Sequence, residues 1–175
     1  HLIRDRLCFD NYYYEQQLDG SFINTAHEHG LDLMVNAMCT STADFDRDND
    51  QDLYIAAGMF EGNFLLVNEG GDFESYETVT GDSVAVHLTS WASTWFDPDN
   101  NGWEDLHVCT GFSVYTNYPG IFNQYPDVPD QFFWNEGGTF DEDDSGMFDP
   151  NVLSFSSASS DYNSDGFPDL ITNSV

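Results

Sequence analysis

Three stretches of this chain carry side-chain oxygens at a spacing that favours a bound cation. The first is Asp44-Phe45-Asp46-Arg47-Asp48-Asn49-Asp50-Gln51-Asp52-Leu53, with carboxylates at positions 1, 3, 5 and 9. Charges that close repel strongly, and more so in apolar surroundings. A hard divalent ion turns the same spacing into a cage of oxygens, and Ca²⁺ is the usual occupant of a flexible, carboxylate-rich loop. The window returns as Asp97-Pro98-Asp99-Asn100-Asn101-Gly102-Trp103-Glu104-Asp105-Leu106 and as Asp161-Tyr162-Asn163-Ser164-Asp165-Gly166-Phe167-Pro168-Asp169-Leu170. An EF-hand loop closes with a bidentate Glu at position 12. Position 12 here is Ile55, Val108 and Thr172, and no amphipathic helices flank the windows, so the EF-hand is excluded. The closing carboxylate is at position 9: Asp52, Asp105 and Asp169.

The windows mark a repeat. They begin 53 and 64 residues apart, and a second landmark runs in phase with them. Asn68-Glu69-Gly70-Gly71-Asp72-Phe73 recurs as Asn135-Glu136-Gly137-Gly138-Thr139-Phe140, and Glu15-Gln16-Gln17-Leu18-Asp19-Gly20-Ser21-Phe22 is a worn copy ahead of both. From each landmark Phe to the next window is 22, 24 and 21 residues. Repeats of this length point to propellers or arrays.

The elements that must hold the windows follow from the local pattern. Tyr12-Tyr13-Tyr14 and residues 21–25 read as two strands joined by a turn at 18–20, where Gly20 supplies positive φ. Each window is preceded by small and β-branched residues (34–43, 83–95 and 154–159). It is followed by a short apolar strand: 53–57, 106–109 and 170–172. The Asn-Glu-Gly-Gly turns join strands at 63–67 and 73–79, and at 131–134 and 139–141. Four short strands per unit is the arithmetic of a propeller blade. The expected fold is therefore all-β, a β-propeller fragment of four-stranded blades with calcium-binding loops. Residues 1–31 form the end of one blade, about 32–82 and 83–149 successive repeats, and 150–175 the start of the next. Since a propeller has four to eight blades, further sequence or further chains are expected to complete the ring. The chain begins at His1 without an initiator Met or a signal-peptide core, which reads as processed or truncated.

The window pattern, D-x-[DN]-x-[DN]-x-x-x-D-L entering a strand, resembles the FG-GAP/VCBS repeats of integrin α-subunit propellers. The Asn-Glu-Gly-Gly-x-Phe hairpin is similar to that of the ASPIC/UnbV group, which includes cartilage acidic protein; Phe22 through His29-Gly30-Leu31 matches its following segment. The resemblance implies side-chain ligands Asp44, Asp46, Asp48 and Asp52; Asp97, Asp99, Asn101 and Asp105; and Asp161, Asn163, Asp165 and Asp169. Position 7 would add a backbone carbonyl from Asp50, Trp103 and Phe167. The first window has Asn49 where the others have Gly102 and Gly166; Asn tolerates the left-handed conformation next best after Gly. Its extra acids predict tighter binding at low salt. About three Ca²⁺ are expected, in a structural role.

Composition bounds the partners. Among 175 residues, 32 acids face three arginines and no lysine, a formal charge of −29. That balance argues against nucleic acid and against anionic membrane surfaces. The chain is 40% hydrophobic, enough to bury a core, and has no apolar run of membrane-spanning length. The acidic surface suits a saline or extracellular setting, or cationic partners. Cys8, Cys39 and Cys109 are too few for a disulfide scaffold and match no zinc spacing.

No hydrolase, phosphate-loop or dinucleotide motif is present. The resemblance places His27-Glu28-His29 in a turn; His87 and His107 read as structural histidines, and Trp91, Trp95, Trp103 and Trp134 as wedges between blades. The 14 extra residues of the second unit fall in 111–130, an aromatic and proline-bearing loop suited to binding. The expected function is a calcium-binding extracellular repeat domain, secreted or at the cell surface, for adhesion, for protein or glycan interaction, or for surface assembly. Alternatives are the propeller of a calcium-dependent polysaccharide-active enzyme and a filament or surface-layer component.

Overall fold

Short runs of β-branched, aromatic and small residues, separated by acidic or glycine-bearing turns, fold here as antiparallel hairpins. The computed structural model describes residues 10–58, 62–76, 89–111, 129–149, 152 and 154–174. Every element placed among them is a β-strand. Strands β1 (Tyr14–Gln16) and β2 (Phe22–Asn24) pair as a two-stranded sheet. Next, β3 (Ala37–Ala43), β4 (Asp52–Ala57), β5 (Phe64–Glu69) and β6 (Asp72–Ser75) form a four-stranded meander. A second meander has β7 (Ser90–Phe96), β8 (Asp105–Thr110), β9 (Gln131–Asn135) and β10 (Phe140–Glu142). Finally, β11 (Ser154–Ser160) pairs with β12 (Asp169–Ser174). The protein is thus all-β, built of several open antiparallel sheets.

Each acidic window is the connection between the first two strands of a sheet, and the register is the same three times. Ala43 pairs with Asp52, Phe96 with Asp105 and Ser160 with Asp169. The first strand carries a bulge at one equivalent place in each copy, between Ala37 and Cys39, Ser90 and Ala92, and Ser154 and Ser156. Strands β4, β8 and β12 start at the closing Asp, one residue before the Leu expected from hydropathy.

The first strands lie side by side, β3 against β7 and β7 against β11. Small hydroxylated residues allow this approach. The Ser41 and Ser93 hydroxyls are 2.6 Å apart, and those of Thr94 and Ser157 2.7 Å. In both pairs the residue three before one window meets the residue four before the next.

Between the two meanders lies a core of Phe45, Tyr54, Ala56, Leu106, Val108 and Phe133. Trp95 is wedged into it, stacked on Phe45 with ring centroids 6.3 Å apart, and its indole N–H donates to Ser41 Oγ. On the other side of β4, Ile55 and Leu66 pack with Ala26 and Leu31 from the segment after β2. Because β4 is covered on both faces, its sequence is a continuous apolar run rather than an alternation.

The first strand begins later than the tyrosine run suggested. At Tyr13 the backbone N–H takes the Asn24 side chain rather than a ladder carbonyl, and β1 starts at Tyr14. Residues 77–88, including His87, and the aromatic insertion at 112–128 lie outside the described residues. Among the described residues, no helix is long and apolar enough to cross a membrane.

Candidate metal centre

The windows fold into one turn pattern, held by the same short side-chain bonds. The position 3 side chain accepts from the backbone N–H of position 5: Asp46 from Asp48, Asp99 from Asn101, Asn163 from Asp165. Position 5 accepts from position 7: Asp48 from Asp50, Asn101 from Trp103, Asp165 from Phe167. In the second and third windows position 1 also accepts from positions 5 and 6, with Asp97 taking Asn101 and Gly102, and Asp161 taking Asp165 and Gly166. These are Asx-type turns, the local geometry that Asp and Asn favour outside helices. They turn the oxygens inward.

Two windows bring three carboxylates together. Asp44, Asp46 and Asp48 offer oxygens within 4.8 Å of one another, as do Asp97, Asp99 and Asp105. Asp44 Oδ1 and Asp105 Oδ2 are buried and have no hydrogen-bond partner. A buried, unpartnered carboxylate oxygen is costly, and a hard cation is the partner such an oxygen suits. The residues present therefore fit Ca²⁺. Asp50 turns its side chain away, accepting from Gly70 N–H at 2.8 Å. In the third window Asp161, Asn163 and Asp165 keep the bonding pattern on an exposed loop, and Asp169 is half-buried at the start of β12; among the described residues, three carboxylates are not brought together there.

The closing Asp ties the window to the glycine hairpin of its own sheet. Asp52 Oδ1 accepts from Asn68 N–H at 2.9 Å, and Asp105 Oδ1 from Asn135 N–H at 2.7 Å. Each Asn then accepts from the second turn glycine (Gly71 or Gly138) and donates to the carbonyl of position 8 (Gln51 or Glu104). The second carboxylate oxygen takes the N–H of position 2: Phe45 to Asp52, and Tyr162 to Asp169. At position 2 of the middle window stands Pro98, which has no N–H. That is why Asp105 Oδ2 is orphaned and free to join the carboxylates of Asp97 and Asp99.

Burial shifts these acids. Without a cation, desolvation pushes both Asp52 and Asp105 up to about 7, against an ordinary 3.8, and the neighbouring window carboxylates add to the shift. Asp46 and Glu104 are raised for the same first cause.

Successive windows also touch. Position 4 sits at positive φ in all three, at Arg47 (64°), Asn100 (57°) and Ser164 (63°). From there the Arg47 guanidinium donates to the Gly102 carbonyl, and the Asn100 amide donates to the Gly166 carbonyl. Position 4 of one window thus reaches the position 6 carbonyl of the next. Arg47 also lies over the Trp103 ring, 4.6 Å from its centroid. Sequence reasoning missed this bridge, because Arg at positive φ has no propensity signal. It did anticipate the left-handed Asn49, found at φ 75° beside Gly102 at 90° and Gly166 at 93°.

The other sequence candidates have separate roles. His29 Nδ1 bonds the Gly71 carbonyl at 2.6 Å and His29 O accepts from Phe73 N–H, so the His-Glu-His turn docks on the β5–β6 hairpin. His27 pairs with Asp32, whose side chain raises the imidazole's pKa. Cys39 and Cys109 are free thiols. No protein-family model matches the chain, and no curated protein matches it.

Asn135 is fully buried and also donates to the Phe45 carbonyl of the neighbouring window.

 Among the described residues, Asn68 in the first meander bonds within its own sheet. We expect Asn135→Ala to cost about 3 kcal/mol and Asn68→Ala about half of that, since each buried group left unpartnered costs roughly 1–3 kcal/mol. Urea unfolding in Ca²⁺ measures both, and equal losses would refute the inter-sheet role. At position 6, Asn49→Gly should stay within about 0.5 kcal/mol of the parent. Asn49→Val, forced into the left-handed region, should lose about 2 kcal/mol in the same assay.

Proposed function

We propose that this chain is part of a calcium-stabilised β-propeller of the FG-GAP/VCBS kind, acting outside the cell in adhesion or surface assembly. The observation that carries the reading is the threefold return of one acidic hairpin in one register, with convergent carboxylates whose buried oxygens lack partners. Asp44, Asp46, Asp48 and Asp52 would hold one ion, with the Asp50 carbonyl. Asp97, Asp99, Asn101 and Asp105 would hold the second, with the Trp103 carbonyl. Asp161, Asn163, Asp165 and Asp169 would hold the third, with the Phe167 carbonyl. Bound Ca²⁺ supplies charge neutralisation and a tie across the turn. The chain supplies the Asx turns that aim the oxygens and the hairpin Asn that fixes the closing carboxylate.

Two features support the propeller arrangement: four-stranded meanders, and first strands lying side by side. Further strands, from this or other chains, would complete the two-stranded sheets. An extracellular setting supplies abundant Ca²⁺ and suits the charge of −29. The ligand would be a protein or a glycan, met by the aromatic loop at 111–130. Binding on a glycan or protein array that disappears with chelator, without hydrolysis of the bound glycans, is the expected result. Turnover abolished by changing an acid outside the windows would favour a polysaccharide-active enzyme instead.

Removal of Ca²⁺ gives a direct measure. With each of three sites at a hundredfold excess of ion over Kd, the melting temperature should rise by roughly 15 °C or more. An unchanged melt after exhaustive chelation would sink the calcium reading.

The pH dependence has a definite sign. Asp52 and Asp105 have metal-free folded pKa values of about 7, above the ordinary 3.8. Their contribution to metal-free stability is therefore full below 3.8 and is lost as pH rises through about 7. Ca²⁺ requires the ionised form, so its stabilisation should grow over the same window. Melts from about pH 5 to 8, with and without chelator, should diverge as pH increases.

A further inference from the structure

The two junctions between neighbouring sheets are built from equivalent positions but different chemistry. At the first junction, Asn63 stands just before β5, and its Oδ1 accepts from Ala57 N–H at 2.9 Å. Its amide N–H₂ donates to Tyr54 Oη at 2.8 Å and to Ser90 Oγ at 2.9 Å. The network is buried and its amide is fully used.

At the second junction Asp130 stands just before β9, and its Oδ1 accepts from Thr110 N–H at 3.0 Å, the counterpart of the Ala57 bond. Tyr54 is replaced by His107, Ala56 by Cys109, and Ser90 by Ser154. Asp130 has no N–H₂ to offer. His107 Nε2 and Ser154 Oγ are buried without a hydrogen-bond partner. An amide donor has been removed, and two groups that would need one remain.

We propose that His107, Cys109 and Asp130 form a site for a zinc-type divalent transition metal, separate from the acidic windows. One oxygen, nitrogen or sulfur atom from each lies within 4.8 Å of the others, and all three residues are buried. His107 and Cys109 are two apart on β8, so their side chains share a face; Asp130 comes in from the residue just before the neighbouring strand β9. His107 Nε2 and Asp130 Oδ2 stand 3.3 Å apart without making a hydrogen bond. Two ligands at about 2.1 Å on a tetrahedral zinc ion are roughly 3.4 Å apart, so the separation is that of a coordination edge.

Ser157 orients the set. Its Oγ lies 3.1 Å from His107 Nδ1, 3.4 Å from Cys109 Sγ and 2.7 Å from Thr94 Oγ1. A serine hydroxyl accepts two hydrogen bonds and donates one. In the metal-free chain the Cys109 thiol donates to that hydroxyl; with a metal bound, the hydroxyl would accept from Nδ1–H and Thr94 and donate to the Cys109 thiolate. In that metal-bound arrangement the Nε2 lone pair and the Asp130 carboxylate, 3.3 Å apart, would both face the cation. Phe148 covers the imidazole, with ring centroids 5.0 Å apart. Nitrogen, thiolate and carboxylate together suit Zn²⁺ rather than Ca²⁺, and three protein ligands leave a fourth position for water. Binding releases the Cys109 proton to solvent.

The test uses the whole chain in saturating Ca²⁺, so that hard-ion sites are filled, and titrates Co²⁺ as a spectroscopic stand-in. One equivalent should produce a thiolate-to-cobalt charge-transfer band that Zn²⁺ displaces. Cys109→Ser should abolish the band, and His107→Ala should weaken binding by about 100-fold or more. Absence of the band, or a band that survives Cys109→Ser and so belongs to Cys8 or Cys39, would overturn the proposal. Should single variants fail to fold, the triple substitution His107→Tyr, Cys109→Ala and Asp130→Asn transplants the metal-free network of the first junction. It should fold without the band and lose the rise in melting temperature that Zn²⁺ gives the parent; a band in that variant, or no Zn²⁺-dependent rise in the parent, would equally refute the site.

Discussion

The hydrogen bond from a hairpin asparagine N–H to the buried closing carboxylate holds each meander together. Asp52 and Asp105 are wholly buried, and each is the first residue of the second strand. The carboxylate pins the third strand's end to the acidic turn, so the turn, the strand and the glycine hairpin adopt one relative position. A carboxylate placed there without its backbone donors would carry the full desolvation cost of a buried charge. With them, it anchors the sheet, and a cation bound beside it would displace its proton to solvent. On the calcium reading proposed above, stability and ion affinity would be linked through a single side chain in each meander.

Much of the architecture was legible because the two landmarks alternate along the chain, and the structure joins them within each meander: Asp52 bonds Asn68 and Asp105 bonds Asn135. The bond fixes where the landmarks meet and not the length of chain between them, 16 residues in the first meander and 30 in the second. The longer second unit places its extra residues between β8 and β9, where that bond is still made. Alternation was a poorer guide. Strand β4 is covered on both faces, so its apolar run has no period, and β1 starts late because Asn24 captures the Tyr13 N–H.

The chemistry of the junctions was not legible, since it depends on residues distant in sequence. His107 looked like any strand histidine, and the cysteines match no zinc spacing. Aligning the units position by position gives the missing signal: Asn63 opposite Asp130, and Tyr54 opposite His107. Pro98 is a similar case. Its effect is felt seven residues later, where Asp105 lacks the donor that Phe45 and Tyr162 supply in the other windows.

The bridges between windows run one way along the chain. Arg47 reaches forward to Gly102, and Asn100 forward to Gly166. Each unit thus brings a donor for its successor and an acceptor for its predecessor, together with hydroxyls that repeat the same offset. A tandem duplication of one unit would arrive with both halves of its own joint. Such an array can lengthen or shorten in evolution without inventing a new interface, and variation can then accumulate in the junction fillings while the joints stay fixed.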